Sequence, residues 1–372
     1  MKSILLFFLS LILVLAAVLW IRYGGGEPYP DLLRPAIIAE SELQEVLSYP
    51  EPIGNVAVSA AGEVFFTVHP ESRPQGNKLL HFVDGASVPF PSVQSQRDLF
   101  DTVLGVVIDQ QNRLWTIDHG NHGMRTPRLL AFDLTSGEVV HDKKFDETIA
   151  PSGSFLQDLQ VSADGHTVVI ADASVWRKRP ALIVYNTDTA TARRVLDGHA
   201  SVGAENFIIR NHDRDMQFAA GLVTLRGGVD GMAIDEKWLY YGALSGSALY
   251  RIPVSALIDP DNNDAELAAS VERYADKPLS DGFSIDTLGN VYVTDVEHGA
   301  VFRIAADREP VTLMRSEKIR WADALSFGPD GWLYVADSDL YNVVLQPRDH
   351  IKTHGPYKIF RFAAGIEGVP GH

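Results

Sequence analysis

The hydrophobic pattern splits the chain into two unequal parts. Ile4 to Ile21 is an unbroken apolar run whose one polar member is Ser10. At about 1.5 Å per residue it makes roughly 27 Å of helix, close to the hydrocarbon thickness of a bilayer. From about residue 50 the period changes. A short apolar strand, a turn with Asp or Gly, an aromatic and β-branched strand and a third strand recur six times. The clearest copies run Asp281–Asp295, Asp323–Asp337 and Asp158–Asp172, a fourth begins at Asp230, and diverged copies begin at Asn55 and Gly105. Fourth strands are expected at Val88–Val93, Val139–Phe145, Arg193–Leu196, Leu267–Tyr274 and Pro310–Met314. The sixth unit has none after Phe362, and Leu43–Tyr49 is expected to supply it and close the ring.

This pattern predicts an all-β fold, a six-bladed β-propeller preceded by one N-terminal transmembrane or signal-anchor helix. Residues 1–23 form the hydrophobic anchor, 24–42 a linker, 43–365 the propeller and 366–372 a tail. The apolar run ends Val18-Leu19-Trp20-Ile21-Arg22-Tyr23 and offers no small-x-small cleavage site, so residues 4–21 are expected to stay in the membrane. The alternative is secretion after signal cleavage. Lys2 favours a cytoplasmic N-terminus and an extracytoplasmic propeller, periplasmic or cell-surface. Gly24-Gly25-Gly26 followed by Glu27-Pro28-Tyr29-Pro30 reads as a flexible and then stiffer linker.

Composition narrows the function classes. A formal net charge of −16 repels phosphate backbones, so no nucleic-acid partner is expected. The chain has no cysteine, which removes disulfide partners, a catalytic thiol and thiolate zinc sites. No nucleophile elbow, phosphate loop or zinc-helix pattern occurs.

The candidate chemistry comes from the repeats. The start of each first strand and the end of each second strand share one rim, and an offset of 14 positions pairs them. It gives Asp158/Asp172, Asp281/Asp295 and Asp323/Asp337, then Asn55/His69, Gly105/His119 and Asp230/Leu244. First strands line a propeller's channel, so Asn55, Asp158, Asp230, Asp281 and Asp323 should meet at its mouth. Four carboxylates and an amide in one cavity need protonation or a cation, and hard oxygen ligands suit Ca²⁺ or another divalent ion. Asn55, Asp158, Asp281, Asp323, Glu297 and His298 are the candidate ligand-binding residues. Asp172, Asp295 and Asp337 are expected to cap neighbouring loops, and His122 to be solvated. Gly198–Gly228 is expected to cover the mouth. Asp259–Asp264 has a calcium-loop composition without its glycine or terminal Glu, and reads as a polar turn.

The block Arg113-Leu-Trp-Thr-Ile-Asp118-His-Gly, followed by Pro127-Arg-Leu-Leu-Ala-Phe-Asp133-Leu, resembles the major royal jelly protein/yellow family. Ser154–Asp158, Ala181–Tyr185, Asp230–Ile234, Leu239–Ser245 and Leu249–Ser255 continue the similarity in order. The absence of cysteine departs from insect members and looks like a bacterial relative. The resemblance implies a six-bladed, extracytoplasmic propeller with a ligand site at the channel mouth. A more distant similarity runs to gluconolactonase/senescence-marker propellers, where Asp230-Gly-Met-Ala-Ile-Asp235 looks like the segment with their metal-binding Asp. At the corresponding positions this similarity implies Asn55, Asp158 and Asp230 as metal ligands, with Asp230 or His119 as the catalytic group, whereas Gly105 has no side chain to coordinate with.

Three functions follow as expectations. One is a propeller that binds a cationic or polyhydroxylated small molecule at the acidic mouth, with a divalent cation in support. The second is a metal-dependent lactonase, with Asp230 or His119 activating water. The third is a dopachrome-type tautomerase that shuttles protons between carboxylate and imidazole.

Overall fold

Inner strands with almost no exposed residue, such as Val103–Ile108, Val229–Ile234 and Ala322–Phe327, cannot face water on either side. The computed structural model describes residues 2–212 and 214–369, apart from the side chain of Lys2, and stacks these strands around one axis. Each begins a four-stranded antiparallel blade. The inner strands are Ile53–Val58, Val103–Ile108, Leu156–Val161, Val229–Ile234, Phe283–Ile285 and Ala322–Phe327. Consecutive inner strands touch, and the sixth touches the first, so the ring is closed.

Closure uses both ends of the propeller sequence. Gln44–Tyr49 is the outer strand of the sixth blade, paired antiparallel to Tyr357–Ala363. Leu47 opposite Ile359 is buried, so the pairing seals apolar surface as well as an edge. Tight blade contact needs small residues at the axis. A Cβ on Gly231 would collide with the carbonyl of Asp281, and one on Gly282 with that of Asp323.

Three segments differ from the sequence reading. Val254–Ile258 and Asp264–Ser270 are short helices, and the outer strand of blade 4 is Glu272–Asp276 rather than Leu267–Tyr274. Asn263 and Glu266 form a reciprocal capping box, which starts the second helix and leaves 259–263 as a turn. Arg348–Thr353 is a further helix. The linker is docked rather than loose. Glu27–Pro28 pairs parallel with Phe207–Ile208, and the amides of Ile37 and Ile38 donate to Thr312 and Leu313 in the outer strand of blade 5.

The N-terminal helix α1, Lys2–Tyr23, is apolar throughout, and its large side chains lie exposed, with Leu5 at 72% and Ile21 at 77%. It is long and apolar enough to cross a bilayer, as an anchor or as a signal sequence. Met1 and residues 370–372 of the expected tail lie outside the described residues.

Candidate functional site

The predicted ring forms. Asn55, Asp158, Asp230, Asp281 and Asp323 line one cavity on the axis together with Gln157. Its volume is about 30 Å³, room for one water or a bare ion and not for an organic molecule.

The register shows that the offset of 14 merges two different positions. Each inner strand of the first four blades and the sixth has a bulge near its start. Asp230, Asp281 and Asp323 stand two residues before the paired positions Met232, Phe283 and Leu325. Asn55, Gly105 and Asp158 stand one residue before Val56, Val106 and Leu159. Gln157 is therefore the true counterpart of the three aspartates. The turn of blade 3 is one residue longer than those of blades 5 and 6, whereas Asn55 and Gly105 sit one residue further along hairpins of the same length.

Burial dominates the electrostatics. Asp158 is pushed up to about 7, chiefly by desolvation, and Asp281 adds to the rise. Asp158 Oδ1 accepts from the Leu159 amide at 2.8 Å, and Oδ2 from the Met232 amide at 3.3 Å. Asp281 is also lifted to about 7 by burial, against the pull of donors from Trp321 Nε1 at 2.6 Å and Gln157 Nε2 at 3.2 Å. Burial and the neighbouring carboxyls hold Asp230 and Asp323 well above the usual range. Asp230 Oδ2 and Asp323 Oδ2 have no hydrogen-bond partner. Burial and mutual repulsion thus favour the protonated forms of Asp230 and Asp323 over buried carboxylates.

The cover closes the ring from above. Within 198–228, Ile209 and Met216 are fully buried and pack with Trp321, Tyr341, Leu244, Leu279 and Val296. Arg214 fastens the segment by donating to the Tyr341 carbonyl at 2.7 Å.

His119 is not brought to Asp230. It belongs to a second cluster with His69, Glu71 and His122, beside Phe155. The His122 amide donates to His119 Nδ1 at 2.9 Å, while His119 Nε2 is buried without a partner. Burial lowers His119 well below its ordinary pKa and His69 to about 4, so both rings are neutral at pH 7. His122 is not solvated as expected. Its ring stacks on Phe155 at 4.4 Å, and Nε2 lies 2.7 Å from Glu71 Oε1. That contact holds Glu71 at about 2 in spite of burial. The cluster reaches the ring at one point, His69 Nε2 to Asp323 Oδ2 at 3.7 Å. Glu71 carries no sequence signal, because its loop is shared by no other blade.

Glu297 and His298 lie elsewhere on the same rim, in an open cleft of about 540 Å³ that Asn211, His212, Arg320, Asp339 and His354 also line. The Arg210 amide donates to Glu297 Oε1 at 2.9 Å, and burial raises Glu297 to about 7. Asp295 accepts from His298 Nδ1 at 2.9 Å and raises that imidazole. Asp339 is lifted to about 6 by burial, against the Arg320 guanidinium beside it.

The second-strand aspartates do cap loops. Asp172 Oδ1 accepts from the amides of Phe155 and Ser174, Asp295 Oδ1 from those of Glu297 and His298, and Asp337 Oδ1 from those of Arg320 and Trp321. Asp118 does the same for Thr102 and Gly120, and it rather than His119 is the counterpart of Asp172.

The fit of a divalent cation can be judged on these contacts. Asp158 and Asp281 spend their oxygens on amide and indole donors, and Asp230 and Asp323 each keep one free oxygen. Among the described residues, no three His, Asp or Glu side chains are placed to hold one ion. The set Asn55, Asp158 and Asp230 does not fit a metal in this arrangement.

Comparison with known proteins agrees with this architecture. Royal jelly proteins 1 and 3 of Apis mellifera are 27% and 26% identical over 41% and 42% of the chain. These matches span 38% and 29% of those relatives' own lengths. A gluconolactonase from Xanthomonas campestris superposes over 91% of this chain and 98% of its own at a TM-score of 0.54 and 15% identity. Regucalcin, a calcium-binding protein from Agrobacterium tumefaciens, does so over 88% and 96% at 0.56 and 14%. At such identities the shared feature is the fold. The sequence model described as "Major royal jelly protein" matches residues 101–317, more than half of the length, and the chain belongs to the major royal jelly protein family.

Proposed function

We propose that the protein is a membrane-anchored, extracytoplasmic propeller that binds a small cationic or polyhydroxylated molecule in the rim cleft. The observation that carries this reading is the cleft itself. At about 540 Å³ it has the size of a small-molecule site, whereas the acid ring has about 30 Å³. Glu297 and Asp339 supply carboxylates for an amine or for hydroxyl groups, and His298 offers a titrating partner. The acid ring below serves as a neutral polar core. Retention of α1 as the anchor is supported by its length, its exposed apolar side chains and the lack of a small-x-small cleavage site within Val18–Tyr23.

Calorimetry on the full chain in detergent, with a panel of amines and polyols, tests the binding. Glu297→Gln is expected to weaken the amine that binds by about tenfold, the scale of one charge-assisted hydrogen bond. Binding that Glu297→Gln leaves unchanged places the ligand elsewhere. The alternatives are tested in the same assay. Turnover of a lactone in the presence of Ca²⁺ would replace binding with hydrolysis, and turnover of dopachrome would replace it with tautomerisation. One structural neighbour is a calcium-binding protein and another a gluconolactonase, which is the reason for including both calcium and a lactone.

A further inference from the structure

The end of α1 is fixed to one place on the propeller. Arg22 Nη2 donates to the Arg177 carbonyl at 3.2 Å, and the Tyr23 hydroxyl to the Trp176 carbonyl at 2.9 Å. Arg226 Nη2 donates to the carbonyls of Tyr23 and Gly24 at 3.0 and 2.6 Å. The Glu27 amide then bonds the Asn206 carbonyl at 2.9 Å. Trp176–Arg179 follows the second strand of blade 3, as Glu297 and His298 follow that of blade 5. The helix therefore meets the propeller on the rim that carries the cleft.

A basic cluster surrounds the end of α1 on this rim. Around the end of α1, Arg177, Lys178, Arg179 and Arg226 join Arg22, and Asp197 answers only Arg177 and Arg179 among them. Tyr23 packs edge-on against the exposed Trp176 at 6.0 Å. On the far rim, the inner hairpin turns expose Glu63, Asp164, Asp235, Glu236 and Asp330 at least in part, while Asp109, paired with Arg113, and Asp286 are buried. Tyr and Trp with adjacent Arg and Lys are what a headgroup region accepts, and exposed acids are what an anionic surface repels.

We infer that the propeller sits with its cleft rim against the bilayer, the Trp176–Arg179 strip touching anionic phospholipid headgroups and the acidic rim turned away. This rests on the retained-anchor reading above. The linker allows little other arrangement, because Gly24 to Glu27 is bonded to the cover instead of hanging free. A ligand then reaches the cleft along the membrane surface.

The absence of native cysteine permits a direct test. The full chain, carrying a fluorophore at Arg179→Cys or at Leu288→Cys on the far rim, is reconstituted in phosphatidylcholine vesicles with and without phosphatidylglycerol. Both positions are exposed, so neither substitution disturbs the core. Headgroup-nitroxide lipid is expected to quench the label at 179 several-fold more than at 288, and more strongly with phosphatidylglycerol present. Equal quenching at the two positions in vesicles that carry the protein overturns the orientation and leaves the anchor standing. Protein that fails to float with the vesicles overturns the anchor, and the orientation with it.

Discussion

Trp321 donates its indole N–H to Asp281 Oδ2 at 2.6 Å, tying the approach to blade 6 to the inner strand of blade 5. Both residues are buried, and Trp321 also packs edge-on against Tyr341 at 5.0 Å beneath the cover. One bond thus joins the acid ring, the blade interface and the lid.

Trp321→Phe removes that donor while keeping much of the apolar volume. Stability is expected to fall by about 1–3 kcal/mol, the cost of orphaning a buried acceptor. Denaturant melts of Trp321→Phe, Asp281→Asn and the double variant measure the coupling. Additive losses would mean that the contact contributes nothing of its own.

Asp158 gives a pH signature. Its folded pKa is raised from 3.8 to about 7, so its contribution to stability is full below pH 4 and is lost as pH rises towards 7. His69, lowered by burial from 6.5 to about 4, acts in the opposite direction over an overlapping range. Comparison with Asp158→Asn isolates the aspartate. The variant is expected to gain on the parent between pH 4 and 7 and to hold a constant lead above that. A difference that stays flat from pH 4 to 8 would show that Asp158 is ionised throughout.

Met216 seals the ring. Met216→Ala is expected to cost about 2–5 kcal/mol through lost burial and a residual cavity. Water reaching the acids should also lower their pKa values, shifting the pH dependence of stability to lower pH. A variant as stable as the parent would show that the cover is not packed in solution.

The sixth blade depends on its borrowed strand. Deleting residues 44–49 strips the partner from Tyr357–Ala363 and bares a sheet edge. The deletion variant is expected to self-associate on size-exclusion chromatography, and a monodisperse elution identical to the parent's would contradict closure by this pairing.

The blades were legible because their apolar spacing and turn residues repeat, and a repeat survives the divergence of single positions. Leu43–Tyr49 could be assigned to closure because a ring leaves one edge unfilled. The site was legible only in part. Asp230, Asp281 and Asp323 stand at strand starts, where a strand's position predicts its neighbours. Glu71 and Trp321 act through loops and inter-blade approach, which no local pattern encodes. The offset of 14 failed because a constant separation does not fix the level of either end: Asn55 and Gly105 lie one residue further along hairpins of equal length, and the blade 3 turn is one residue longer. His122 was misplaced for a related reason, since its partners Glu71 and Phe155 come from the blades on either side.

By itself, the sequence determined the propeller, the number of blades, the apolar N-terminal helix and the convergence of five polar residues on the axis. These follow from periodicity and length, which are properties of a linear chain. Tertiary structure alone decided that most of the ring is buried, that its acids are raised in pKa and that a ligand-sized cleft lies on the same rim. Those facts depend on desolvation and on packing between segments far apart in the chain. Ile209 and Met216 of the cover pack with Trp321 and Tyr341, a meeting that no local pattern encodes.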